Sequence, residues 1–118
     1  MSIVVKKAKN QIVEAVEKAF KTAIEKGLLP EGEHAPVIIE VPADSAHGDY
    51  STNAAMASAR VFRMAPVKIA EIVRDCIVTD GTYIASCETA GPGFLNFRLN
   101  SDYYSDILKD ALEKKEQY

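Results

Sequence analysis

Apolar residues recur at three- and four-residue steps over residues 3–26, where Val5, Ala8, Ile12, Val16, Ala19, Phe20 and Ala23 alternate with Lys and Glu. That period predicts an amphipathic helix, and Gly27 stands where a helix-ending glycine belongs. Residues 28–36 hold two prolines and Gly32 and read as a loop. Val37-Ile38-Ile39-Glu40-Val41 is short, β-branched and closed by Pro42, which predicts a strand. A loop rich in Asp, Ser and Gly follows to Tyr50. Residues 52–64 then predict a helix of small side chains, among them Ala54, Ala55, Ala57, Ser58 and Ala59, suited to close packing. Pro66 fits the first turn of another helix, striped by Val67, Ala70, Ile72, Val73, Cys76 and Ile77. Residues 82–90 and 94–99 predict two strands joined by the turn Gly91-Pro92-Gly93. A last helix opens with Ser101 as N-cap, carries Asp102 and Asp106 in its first turns, and frays over Glu113-Lys114-Lys115-Glu116.

Composition narrows the class. The 118 residues are 47% hydrophobic and 26% charged, enough to bury a core and too little net charge for a disordered chain. No apolar run is long enough to span a bilayer, so no membrane partner is expected. Met1-Ser2-Ile3-Val4-Val5-Lys6-Lys7 places its charges after the apolar patch, the wrong order for a secretory signal, so a cytoplasmic setting is expected. Two cysteines, Cys76 and Cys87, and two histidines, His34 and His47, show no zinc-ligand spacing. No metal is expected, and the cysteines read as small core residues.

Charge is distributed unevenly. The 14 Lys and Arg against 17 Asp and Glu leave a formal −3, which disfavours stand-alone nucleic-acid binding. Between Gly27 and Ala59 there is no Lys or Arg, while Arg60, Arg63, Lys68 and Arg74 follow with only Glu71 against them. This basic stretch either solvates helix faces or makes a restricted phosphate contact, with Arg60 and Arg63 as its candidates.

Two segments carry chemistry. His47-Gly48-Asp49 pairs an imidazole with a carboxylate, but no nucleophile accompanies them. A structured loop is the simpler reading, with Gly48 taking a backbone shape other residues resist and Asp49 capping the following helix with Asn53 at its entry. In residues 94–99, alternation puts Leu95, Phe97 and Leu99 on a core face and Phe94, Asn96 and Arg98 on the other. A ring, an amide and a guanidinium on a solvated face suit RNA: stacking on a base, reading of its edge, and reach to phosphate. The competing account buries Phe94 under a helix. Gly91-Pro92-Gly93 lacks the glycine spacing of a phosphate cradle.

Three segments together resemble the N-terminal additional domain of arginyl-tRNA synthetases. They are Ile39 through Met56, containing His47-Gly48-Asp49-Tyr50-Ser51-Thr52-Asn53-Ala54-Ala55-Met56; Pro66-Val67-Lys68-Ile69-Ala70; and Ala90-Gly91-Pro92-Gly93-Phe94-Leu95-Asn96-Phe97-Arg98-Leu99. Their order and spacing also match, and the resemblance covers nearly the whole chain. It implies a single α+β domain over residues 1–118, a small antiparallel sheet against about four helices, with Gly91 and Gly93 shaping the turn before the last strand. It further implies contact with the tRNA(Arg) D-loop, with the family's reading positions at Phe94 and Asn96. A third such position falls at Gly91, which has no side chain.

The family's HxGH and KMSK-type signatures do not occur in this sequence, nor does an anticodon-binding domain. The resemblance therefore implies a monomeric domain without catalytic residues or cofactor of its own. Its parent ligase would use ATP and Mg²⁺, with the catalytic domain of the same chain as a partner. A free-standing protein- or ligand-interaction module of similar architecture is the alternative, and a small hydrolase built on His47 and Asp49 a third reading.

Overall fold

The helix predicted at the N-terminus runs over Ile3–Glu25 (α1) and buries Ala8, Ile12, Ala15, Val16, Ala19, Phe20 and Ala23, the stripe its periodicity marks. The structure, a computed structural model, describes residues 3–116; Met1 and Ser2, where the secretion argument begins, lie outside the described residues. Gly27 ends α1 with φ +74°, its N–H donating to the Ile24 carbonyl at 3.0 Å and the Leu28 N–H to that of Ala23 at 2.8 Å. These two bonds form a Schellman cap, which turns the chain so that Leu29 enters the core. His34 then stacks on Phe20 with ring centroids 4.3 Å apart and planes 12° from parallel.

The strand predicted at Val37–Val41 does not form; only Glu40 pairs, exchanging both backbone bonds with Ser51 at 2.8 Å. Antiparallel ladders repeat such a pair every second residue, so the next ones would involve Pro42 and Ile38. Pro42 has no N–H. Opposite Ile38 the chain is already turning into the next helix at Asn53. The true first strand is Tyr50–Thr52 (β1), within the region expected to be loop and helix start, preceded by one 3₁₀ turn at Ser45–His47.

The helix predicted over residues 52–64 is two short ones, Ala54–Ala57 (α2) and Ala59–Phe62 (α3). Ser58 causes the break. Fully buried, its hydroxyl donates to the Ala54 carbonyl at 2.7 Å and accepts the Ala35 N–H at 2.8 Å. A serine bonding back to the preceding turn bends a helix, and here it also fastens the loop after α1. Arg63 closes α3 in the left-handed region, φ +52°.

Pro66–Asp75 forms α4 with the proline in its first turn, then Ile84–Ala90 (β2) and Phe94–Leu99 (β3) pair as a hairpin. The sheet order is β1-β3-β2, antiparallel throughout. The last helix, Ser101–Glu116 (α5), remains helical through the segment expected to fray. Asn100 rather than Ser101 caps it, its Oδ1 accepting the Tyr103 N–H at 3.1 Å. Among the described residues there are thus five α-helices and one three-stranded sheet, a single α+β domain. Leu95, Phe97 and Leu99 are buried against the helices. Phe94, Asn96 and Arg98 face outward with half-buried to exposed side chains.

Cys76 and Cys87 are free and partly buried against the core. Among the described residues no cluster of three His, Cys, Asp or Glu is placed to hold a metal, and no helix is long and apolar enough to cross a membrane.

Candidate nucleic-acid interface

The outer face of β3 is organised by its register. Asn96 lies opposite Ser51 of β1 on one side and Glu88 of β2 on the other, while Phe94 lies opposite Ala90. Because opposed residues share a face, Glu40, Ser51, Asn96 and Glu88 form one row across the sheet. Beside this row is a groove of about 310 Å³, its lining including Phe94, Asn96, Ser51, His47, Gly91 and Pro92. That volume sits at the small end of ligand sites, roughly 300–1,000 Å³. The walls combine a ring, an amide and an imidazole with apolar proline and alanine surface, so the groove suits a flat, partly polar group. Exposed Glu40 and Glu88 at the ends of the row make it a poor seat for an anion.

Two glycines allow this shape. Gly93, at φ +135°, packs so closely on α4 that an added Cβ would lie 2.9 Å from Pro66 Cβ and 3.1 Å from its backbone. Gly48, at φ +102°, leaves only 2.8 Å between such a Cβ and the Phe97 carbonyl oxygen. Gly91 opens the groove's edge, and a side chain there would meet the Phe94 ring.

Asp49 does not cap the following helix. Its Oδ2 accepts the Leu99 N–H at 2.8 Å, its Oδ1 accepts the Tyr104 hydroxyl at 2.6 Å, and its own N–H donates to the Phe97 carbonyl at 2.8 Å. It ties the segment before β1 to the end of β3 and to α5. Asn53 occupies the N-cap position of α2 without a side-chain cap bond; Thr52 Oγ1 accepts the Ala54 N–H instead, at 3.2 Å. Asp49's bond is the main reason the Tyr104 hydroxyl is pushed up to about 12, with burial and the carboxylate's charge adding to it.

The structure brings Phe94, Asn96, Gly91 and His47 to one groove and leaves Arg60 and Arg63 outside it, on α3 and at its C-terminal cap. Arg98 stands on the same face, its Nη2 donating to the Ala46 carbonyl at 2.6 Å. Sequence reasoning placed His47 in a structured loop, with a hydrolase as a further reading, and did not single out Ser51, Pro42 or Pro92, which line the groove. Ser51 becomes visible only once β1 is placed opposite β3.

Residues 6–99 match the family model described as the arginyl tRNA synthetase N terminal domain. The chain is 41% identical over all 118 residues to the arginine–tRNA ligase of Acetivibrio thermocellus, and 42% identical to that of Caldanaerobacter subterraneus. In each case it spans 21% of the relative's length. Among solved structures, arginyl-tRNA synthetase from Plasmodium falciparum shares the fold with a TM-score of 0.59 at 22% identity, over 84% of this chain and 18% of that one. With a family model over residues 6–99 and relatives 41% and 42% identical across all 118 residues of this chain, the chain belongs to the arginyl-tRNA synthetase N-terminal domain family.

Proposed function

We infer that this domain serves an arginine–tRNA ligase by receiving an unpaired D-loop nucleotide of tRNA(Arg) in the groove on its sheet. The observation that carries the reading is the joint placement of Phe94 and Asn96 in one base-sized groove on the outer face of β3, in a member of this family. Phe94 supplies a stacking surface and Asn96 an amide for a base edge. The flanking carboxylates of Glu40 and Glu88 favour a neutral base in the groove and keep phosphate away from it. Arg60 and Arg63, on α3 and its cap, would meet backbone phosphates instead. Arginine activation, with ATP and Mg²⁺, would belong to the catalytic domain of the cytoplasmic parent.

The test is an NMR titration of the chain with a hairpin RNA carrying the tRNA(Arg) D-arm. Resonances of Phe94, Asn96 and Ser51 are expected to move first, and Phe94→Ala to weaken binding about ten- to a hundredfold. Asn96→Ala should weaken it less. Shifts confined to lysine and arginine side chains, with Phe94→Ala binding like wild type, would leave the free-standing module as the better reading.

A further inference from the structure

We propose that His47 is a second nucleotide-contacting residue of this groove, and that Arg98 is its positioning residue, acting through the Ala46 carbonyl. The inference rests on the groove being a nucleotide site.

The backbone is bonded on both sides of His47. The Ala46 N–H donates to Asp44 Oδ1 at 2.9 Å and the His47 N–H to the Asp44 carbonyl at 3.0 Å. Arg98 Nη2 takes the Ala46 carbonyl at 2.6 Å, Gly48 lies against the Phe97 carbonyl, and Asp49 is bonded to Phe97, Leu99 and Tyr104. The imidazole is the exception. It is exposed, it lines the groove, and among the described residues it makes no hydrogen bond and no ring contact. A histidine kept for packing would be covered, and one kept for a local bond would have its partner, as His34 has in Phe20 and the Ala35 carbonyl. A hydrogen-bonded turn that carries an uncommitted ring into a groove is a means of presenting that ring.

Its position along β3 indicates what it meets. Gly48 against Phe97 and Arg98 on Ala46 set His47 at the Arg98 end of Asn96, whereas Phe94 stands at the other end. The amide therefore lies between two aromatic groups, one from the strand and one from the turn. An imidazole offers a flat face for stacking and ring nitrogens for a base edge or ribose hydroxyl. The ligand chemistry is one unstacked nucleotide, held by its base. Arg98 commits one of its five N–H donors to the turn that carries the ring, and this bond gives it an effect on binding without contact to phosphate.

The experiment measures the affinity of the D-arm hairpin RNA for the chain and for Phe94→Ala, His47→Ala, His47→Phe, Arg98→Met and the His47→Ala/Arg98→Met pair. Each is measured over a range of salt, with melting temperature as the folding control. His47→Ala is expected to weaken binding about five- to tenfold with its melting temperature held, and His47→Phe, which keeps a flat ring, to recover most of that loss. Arg98→Met should weaken binding with an unchanged salt slope, and the double variant should bind no more weakly than the worse single one. If His47→Ala binds like wild type while Phe94→Ala does not, the His47 assignment is wrong and the groove reading stands. If neither variant loses affinity, both fall together. If the Arg98 loss multiplies with that of His47 and lowers the salt slope by about one, Arg98 is an independent phosphate contact and its positioning role is overturned.

Discussion

Tyr104 donates its hydroxyl to Asp49 Oδ1 at 2.6 Å, joining α5 to the segment before β1 across 55 residues of chain. The other carboxylate oxygen holds the Leu99 N–H, so one side chain fastens the end of β3 and the helix after it. Hydrogen bonds to a charged acceptor contribute about 1.5–3 kcal/mol each. Asp49→Ala should therefore lower stability by about 2–4 kcal/mol in urea titration, with Asp49→Asn in between. An effect near zero would show that the network is not a structural tie.

Gly48→Ala should cost about 2–4 kcal/mol, because a side chain at φ +102° is strained and its Cβ would press on the Phe97 carbonyl. Gly27→Ala gives the comparison: its φ is also positive, but no atom lies within 4 Å of an added Cβ. The Gly48 variant should melt well below the Gly27 one; equal melting would refute the close approach.

Phe94 and Phe97 should part company on truncation. Phe97 is fully buried in the core, so Phe97→Ala should cost about 3–5 kcal/mol. Phe94 is only half-buried at the groove, so Phe94→Ala should cost about 1 kcal/mol or less, a gap that chemical denaturation resolves. Similar losses for the two would restore the account in which Phe94 is core.

The contrast between these rings also marks how far the sequence could be read. Strict alternation over residues 94–99 assigned both faces of β3 because a sheet with one buried side imposes period two. Composition was a weaker guide at Val37–Val41, where a β-branched run advertises a strand but Pro42 and the turn at Asn53 stop the ladder after one pair. Small residues over 52–64 signalled close packing, yet Ser58 bends the helix by bonding back to Ala54 and also holds Ala35, a partner 23 residues away that no local pattern shows. His47 and Asp49 were singled out as a pair. Their separate parts, one presented to the groove and one engaged in bonds to β3 and α5, depend on segments outside any local pattern.

Alkaline pH should loosen the domain through its tyrosines. Tyr104 is pushed up to about 12, chiefly by its bond to Asp49; Tyr83 is raised chiefly by its bond to Asp106, and Tyr103 chiefly by burial. In the unfolded chain all three ionise near 10.0. Above that pH the unfolded state gives up protons the folded state keeps, so the stabilisation present below pH 10 is lost as pH rises toward 12. Urea midpoints should fall between pH 9.5 and about 11.5, and Tyr104→Phe should shallow the fall. A flat profile in both proteins would count against these bonds.

Cys87 should resist alkylation. Burial pushes its thiol from 9.0 up to about 12, Arg74 opposing and Glu88 adding to the shift, so its thiolate at pH 8 is scarcer by about a thousandfold. Mass spectrometry after iodoacetamide should find Cys87 modified only once the protein is unfolded. Rapid labelling of the folded protein would contradict its packing.

The order of strands carries a consequence for how the domain is made. β3 is the middle strand of the sheet and the last of its three to be synthesised, so apart from the single Glu40–Ser51 bridge neither β1 nor β2 has a strand to pair with until Phe94–Leu99 has left the ribosome. The β2–β3 hairpin can close at once across its short turn, whereas β1 must wait for a partner that begins 42 residues after it ends. A nascent chain halted at Gly93 holds most of its helices and no sheet. Arrest there should leave the core without Leu95, Phe97 and Leu99, and α2 and α4 without the strand they pack on, a collapsed intermediate with exposed apolar surface until the middle strand arrives.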